Sequence, residues 1–243
     1  VVEKPARGEQ GFHLMISPLV QAVRIAVTEA QSVSGLLQAP RKARACFVFA
    51  HGAGAGMTHP FMVAVADDLA RHGIATLRYQ FVYLEQGSKR PDAPQRAHAV
   101  VRAAVREAAR LLPEASLFAG GKSFGGRMTS QAQAISPLPA VRGLVFLGFP
   151  LHPAGQPATE RATHLFATGV PLLFLQGTRD KLADPALLAP LAEKLGARAT
   201  VELFREADHS FHAPVRSGQT DVGIRAELAD TIAEWMGKIS LGV

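Results

Sequence analysis

The sequence predicts an α/β protein, a mostly parallel central sheet with helices on both faces. Three observations carry that prediction. Short apolar runs of strand character alternate along the chain with longer segments of helical period. Runs in the middle, such as Cys46-Phe47-Val48-Phe49-Ala50, are continuously apolar, as strands buried on both faces must be. The 243 residues are 48% hydrophobic and only 19% charged, enough to bury a large core and inconsistent with a disordered chain. No internal repeat, low-complexity tract or linker divides them, so residues 1–243 read as a single domain.

The elements follow in order. Val20–Glu29 and Val33–Gln38 are β-prone and separated by polar residues, which predicts a peripheral antiparallel pair. Ala45–Ala50 is a central parallel strand that stops at the glycine-rich His51-Gly52-Ala53-Gly54-Ala55-Gly56. Pro60 opens a helix and Gly73 closes it, proline suiting the first helical position and glycine the exit. Ile74–Tyr79 is the next strand, followed by a polar loop, Tyr83–Pro91. Asp92–Leu112 has helical period, with Ala97, Val101, Ala104, Val105, Ala108 and Leu112 on one apolar face. The run Ser116–Ala119 leads through a glycine-rich turn into a helix-compatible segment, Arg127–Ile135. Gly143–Gly148 is a strand, then come a proline-rich loop and a short helical piece around Thr163–Ala167. Pro171–Gln176 and Ala199–Phe204 are strands on either side of a helix, Leu187–Leu195. In the last helix Ile224, Leu228, Ile232 and Trp235 recur at core spacing. The stretch from Pro150 to Pro171 is too short for a substantial helical lid.

Charge and composition narrow the function classes. The net charge is +6, but the basic residues are scattered. The densest stripe, Arg102, Arg106 and Arg110, reads as a solvated helix face, and no basic patch is interleaved with aromatics, so no nucleic-acid partner is expected. His and Asp residues lack metal-ligand spacing, and neither a metal nor an organic cofactor is expected. The lone Cys46 permits no disulfide within the chain, which suits a reducing compartment. Val1–Gln10 is charged and no long apolar segment follows, so we expect neither a signal peptide nor a membrane span, and a cytoplasmic protein without a membrane partner.

The chemistry concentrates in Gly121-Lys122-Ser123-Phe124-Gly125, a G-x-S-x-G placed where an apolar run meets a helical pattern. A serine on a sharp strand-to-helix turn is strained and pushed above the sheet edge, and glycine is wanted two residues either side because the backbone approaches closely there. The helix that follows aims its first N–H groups at negative charge forming near the serine. In a parallel sheet, ligands sit at the carboxyl ends of the strands. The loops leaving those ends carry Gly52–Gly56, Ser123, Asp180 and His209, and the order serine, acid, histidine is that of the α/β-hydrolase triad.

The roles follow from reactivity. A neutral serine hydroxyl needs a base, for which His209 is the candidate, and the histidine needs an acceptor on its other nitrogen, assigned to Asp180. Asp208 is the rival acid, but it adjoins His209, and neighbouring side chains rarely face each other. His212 is the rival base and lacks as good a strand-end position; His51 reads as structural. The oxyanion would be met by the backbone N–H of Phe124 and by one from Ala53 or Gly54. Lys122 either raises the local positive potential or points away from the serine, and the structural reading is preferred. The loop Gly52–Gly56 lacks the Gly-Lys-Ser/Thr ending of a phosphate-binding P-loop.

Longer stretches carry a resemblance. They are His51-Gly52-Ala53-Gly54-Ala55-Gly56-Met57 with His59-Pro60-Phe61-Met62, then Lys89-Arg90-Pro91-Asp92 and the whole of Gly120–Met128. Gly148-Phe149-Pro150-Leu151-His152-Pro153, Gln176–Asp180 and His209-Ser210-Phe211 complete the set, which spans about residues 45 to 212. They resemble the α/β-hydrolase superfamily and, within it, the family of testis-expressed protein 30 and its bacterial relatives. That family is also similar to a domain in a subunit of the nonspecific-lethal histone acetyltransferase complex. The chain departs from the family pattern at Phe81-Val82-Tyr83, where relatives tend to have Phe-Pro before a tyrosine. The resemblance implies an α/β-hydrolase fold and a serine-hydrolase scaffold, without a substrate. The triad with both oxyanion loops points to cleavage of a carboxylic ester or thioester through an acyl-Ser123 intermediate, and the lack of a lid to a small or accessible substrate. The chromatin relative motivates the alternative, a non-catalytic binding scaffold on the same fold; hydrolysis of an amide, lactone or carbon–carbon bond is chemically adjacent.

Overall fold

The computed structural model of the protein describes residues 19–242. The charged Val1–Gln10 stretch, to which the expectation about a leader refers, lies outside them. Eight strands form one sheet: β1 Val20–Ala26, β2 Ser32–Gln38, β3 Ala45–Ala50, β4 Ile74–Tyr79, β5 Ser116–Lys122, β6 Val141–Leu147, β7 Leu172–Gly177 and β8 Ala199–Phe204. Their order across the sheet is β1-β2-β4-β3-β5-β6-β7-β8. The β1/β2 and β2/β4 pairs are antiparallel, and all pairs from β4 to β8 are parallel. Only β1 of the expected peripheral pair is an edge, because β2 also pairs with β4.

Period-two alternation explains the continuous apolar runs. All six residues of β3 are buried: Cys46, Val48 and Ala50 enter one core, while Ala45, Phe47 and Phe49 enter the other. The first core is closed by α3 (Pro94–Leu111), α4 (Phe124–Ile135) and α5 (Pro185–Leu195). The second is closed by α1 (Pro60–Arg71) and α6 (Asp221–Leu241), whose Ile224, Leu228, Ile232 and Trp235 are buried in it. This is the α/β-hydrolase fold. Between β6 and β7 the chain forms only the 3-10 helix Glu160–Ala167, and no helical lid stands there among the described residues.

Several boundaries differ from the sequence expectation. The polar loop after β4 begins with a one-turn helix, α2 (Val82–Glu85), too short to leave a periodic signature, that buries Val82 and Tyr83. Helix α3 starts at Pro94 rather than Asp92, and Asp92 instead accepts the N–H of Tyr83 at 3.1 Å. Helix α5 starts at Pro185, two residues early, because Asp184 caps it by accepting the N–H of Ala186 at 2.9 Å. The arginine stripe on α3 is not only a solvated face: Arg102 donates to the carbonyls of Ala132 and Ser136, binding the C-terminus of α4. No helix among the described residues is long and apolar enough to cross a membrane.

Candidate active site

Ser123 stands between the last residue of β5 and the first of α4, at φ 50° and ψ −114°. A non-glycine residue holds such a conformation only where its surroundings over-determine it. Here they do. A Cβ added to Gly121 would lie 2.2 Å from the Ala50 carbonyl oxygen, and one on Gly125 would lie 2.6 Å from it. The two glycines let β5 and α4 close tightly on β3, and Ser123 is left at the apex of the turn.

His209 reaches this serine from the loop after β8. Its Nε2 is 2.9 Å from Ser123 Oγ, and its Nδ1 is 2.6 Å from Asp180 Oδ2, on the loop after β7. Asp180 is buried, and its carboxylate also accepts from Gln176 Nε2 and from the N–H of Leu182 at 2.7 Å. A carboxylate held by two further donors cannot swing, so it fixes the ring of His209. With Nδ1–H given to Asp180, Nε2 is left as an acceptor for the serine proton. Gln176 has no sequence signal beyond standing at a strand end.

The rivals lie elsewhere. Asp208 accepts the N–H groups of Ser210 and His212, building the turn that carries His209. His212 is exposed and pairs with Asp221 at 3.0 Å, an interaction that raises its pKa. His51 is buried, accepts the N–H of Phe81 on Nε2 at 3.2 Å, and is pushed down to a pKa of about 4 by burial. It is a neutral brace.

Lys122 does not point away. Its Nζ turns under the histidine loop, donates to the His209 carbonyl and lies 5.5 Å from the centre of the Phe211 ring. Burial pushes its pKa down to about 8, against the opposing pull of Asp180 and Asp208. The expectation that it points away from the serine is corrected: Lys122 binds the loop that carries His209 and lines the cleft beside Ser123.

On the oxyanion side, the N–H groups of Phe124 and Ala53 find no protein acceptor among the described residues. Phe124 is the first residue of α4, where backbone donors are unsatisfied and the helix dipole adds positive potential. Gly54 is corrected: its N–H donates to the hydroxyl of Tyr83 at 2.9 Å, which leaves Ala53 of the two. A cleft of about 380 Å³ opens over these groups, lined by Ala53, Phe61, Met62, Ser123, Leu182 and His209 among others. No group of three His, Cys, Asp or Glu residues fit to hold a metal ion occurs among the described residues.

Two motifs that carry the resemblance act as braces. Asp92 of Lys89-Arg90-Pro91-Asp92 holds Tyr83 behind the glycine-rich loop. His152 of Pro150-Leu151-His152-Pro153 accepts the N–H of Asp184 at 3.0 Å and donates its own N–H to the Leu182 carbonyl, also at 3.0 Å, clasping the loop that bears Asp180.

A strained serine, a histidine and a buried carboxylate meet at the carboxyl edge of the parallel strands, on the loops after β5, β8 and β7, and form the candidate site. The family described as alpha/beta hydrolase domain matches residues 43–237, and the chain belongs to it. Solved structures share the fold at low identity. A dienelactone hydrolase from Anabaena variabilis is 22% identical with a TM-score of 0.71, the match covering 90% of this chain and 97% of that one. An α/β serine hydrolase without a lid, from Xanthomonas campestris, is 18% identical at TM-score 0.68, covering 89% and 94%. The esterase domain of a Rhodothermus marinus protein is 16% identical, also at 0.68, covering 89% and 97%.

Proposed function

We propose that this chain is a serine hydrolase that cleaves a carboxylic ester or thioester through an acyl intermediate on Ser123. The observation that carries the reading is the placement of one imidazole, His209, within hydrogen-bond distance of both Ser123 Oγ and the buried Asp180. In the first half-reaction Oγ attacks the acyl carbon and its proton passes to His209 Nε2. Asp180 stabilises the imidazolium without taking the proton. The N–H groups of Phe124 and Ala53 meet the oxyanion. Collapse expels the alcohol or thiol with the proton from His209, leaving acyl-Ser123. Water, deprotonated by His209, attacks in turn; the carboxylic acid leaves and Oγ recovers its proton.

Esters and thioesters fit best because an alkoxide or thiolate leaves the tetrahedral intermediate far more readily than an amide nitrogen does, with His209 returning its one proton to the leaving group. The lidless, partly apolar cleft suits a small or accessible substrate. We further assign the chain, as one domain, to the branch of testis-expressed protein 30, on the motifs that clasp the two site loops.

A panel of p-nitrophenyl esters and acyl thioesters tests the reading. Ser123→Ala should lower turnover of every hydrolysed substrate by at least about 10³-fold, since the residue and its base act as a unit. Undiminished turnover in that variant would refute the acyl-serine route.

A further inference from the structure

The oxyanion side of the site rests on a segment that takes no part in the chemistry. Tyr83, in α2, is buried directly behind the glycine-rich loop, with its ring centre 6.1 Å from that of His51. Its hydroxyl accepts the Gly54 N–H at 2.9 Å, and its own N–H donates to Asp92 Oδ2 at 3.1 Å. The Asp92 side chain is buried and faces Arg96 across 3.7 Å. Burial pushes the Tyr83 phenol upward, so it stays protonated, with the oxygen free to accept. Tyr83 lines a neighbouring cleft with Asp92 and Arg96, not the one over Ser123. It reaches the candidate oxyanion donor only through the loop.

That loop needs holding. Gly54 is left-handed at φ 74° with nothing within 4 Å of where a Cβ would be, so packing does not confine it. Farther along, the loop is fixed by Arg78, which donates to the Met57 carbonyl, and by Gln80, which accepts the Met57 N–H at 2.8 Å. Between His51 and Met57 two side chains fix the backbone, among the described residues: the His51 ring, whose Nδ1 lies 2.7 Å from the Gly52 carbonyl oxygen, and the Tyr83 hydroxyl, which alone holds the far side of Ala53, at the Gly54 N–H. The peptide it pins is adjacent to the one that carries the Ala53 N–H.

We propose that Tyr83, held in place by Asp92, is a positioning residue of the oxyanion loop, acting on the Gly54 side of Ala53. It anchors the Gly54 N–H so that the Ala53 N–H stays aimed above Ser123. The proposal rests on the acyl-serine reading. It gives the Lys89-Arg90-Pro91-Asp92 motif a role in rate rather than in binding, because an oxyanion donor acts on the tetrahedral intermediate and hardly on the ground state.

The test compares wild type, Tyr83→Phe and Asp92→Asn in two measurements: kcat and KM on one aryl ester, and the rate and final stoichiometry of labelling by a fluorophosphonate. Removing an oxyanion donor outright slows such enzymes about 10²–10³-fold, so loosening one should lower kcat about 10-fold. KM should stay within about twofold. Tyr83→Phe should label more slowly by a similar factor, yet still reach one adduct per chain, and Asp92→Asn should show the same pattern more weakly. General damage to the fold would lower the adduct fraction rather than the rate, and that result, or wild-type kcat and labelling rate in Tyr83→Phe, would overturn the proposal. If Tyr83→Phe does not fold, Asp92→Asn decides by the same criteria. Wild-type protein that takes no adduct would overturn the acyl-serine reading itself, and this proposal with it.

Discussion

Ser123 at φ 50° and ψ −114° shows how single residues shape the candidate site. Its strain is sustained by what glycine lacks two positions away on each side. Gly121→Ala would drive a methyl group to 2.2 Å from the Ala50 oxygen, at φ 156°, where side chains are rarely tolerated. We expect a loss of at least about 1–3 kcal/mol, as in other overpacked sites, with a larger loss of turnover because the serine moves. A melting temperature and ester turnover equal to wild type would contradict this. The spacing of these glycines was legible in the sequence because it is local. Gln176, Tyr83 and His152 were not legible in their roles. Tyr83 meets Gly54 across 29 positions and His152 meets Asp184 across 32, and no local pattern encodes a side chain's partner at that distance.

At the scale of elements, strands were read to within a few residues, because burial on both faces writes itself as uninterrupted apolar sequence. Ile74–Tyr79 and Ala199–Phe204 match their expected bounds, whereas β1 ends at Ala26, short of Glu29. Helix ends were less legible, since caps decide them. Asp184 starts α5 ahead of its first apolar repeat, and α4 begins directly after the strained serine rather than at Arg127. The one-turn α2 escaped because four residues cannot display a period of 3.6. Packing also depends on glycine in a way composition hides: a Cβ on Gly143 in β6 would lie 2.5 Å from the Trp235 ring, so this strand accepts α6 only without a side chain there.

Strand order across the whole molecule assembles the site. Because β3 and β5 are neighbours, the glycine-rich loop lies beside Ser123, while β7 and β8 deliver Asp180 and His209 from the other side. The fold also predicts a pH response. His51 and His164 are held near a pKa of about 4, chiefly by burial, against an ordinary value of 6.5, so the native state refuses protons that the unfolded chain accepts. Stability from these groups is therefore present above pH 6.5 and lost as pH falls toward 4, on the order of 1 kcal/mol for His51 at pH 5 and less for the half-buried His164. A melting temperature lower by roughly 2–4 °C or more at pH 5 than at pH 7 is expected, and an unchanged one would contradict the burial account. The central claim is that Ser123 is activated by His209. The measurement that tests it most directly is intact mass after fluorophosphonate treatment of wild type, Ser123→Ala and His209→Ala. One adduct on the wild type and none on either variant is the predicted result; a folded wild type without an adduct, or an adduct that persists in Ser123→Ala, would contradict it.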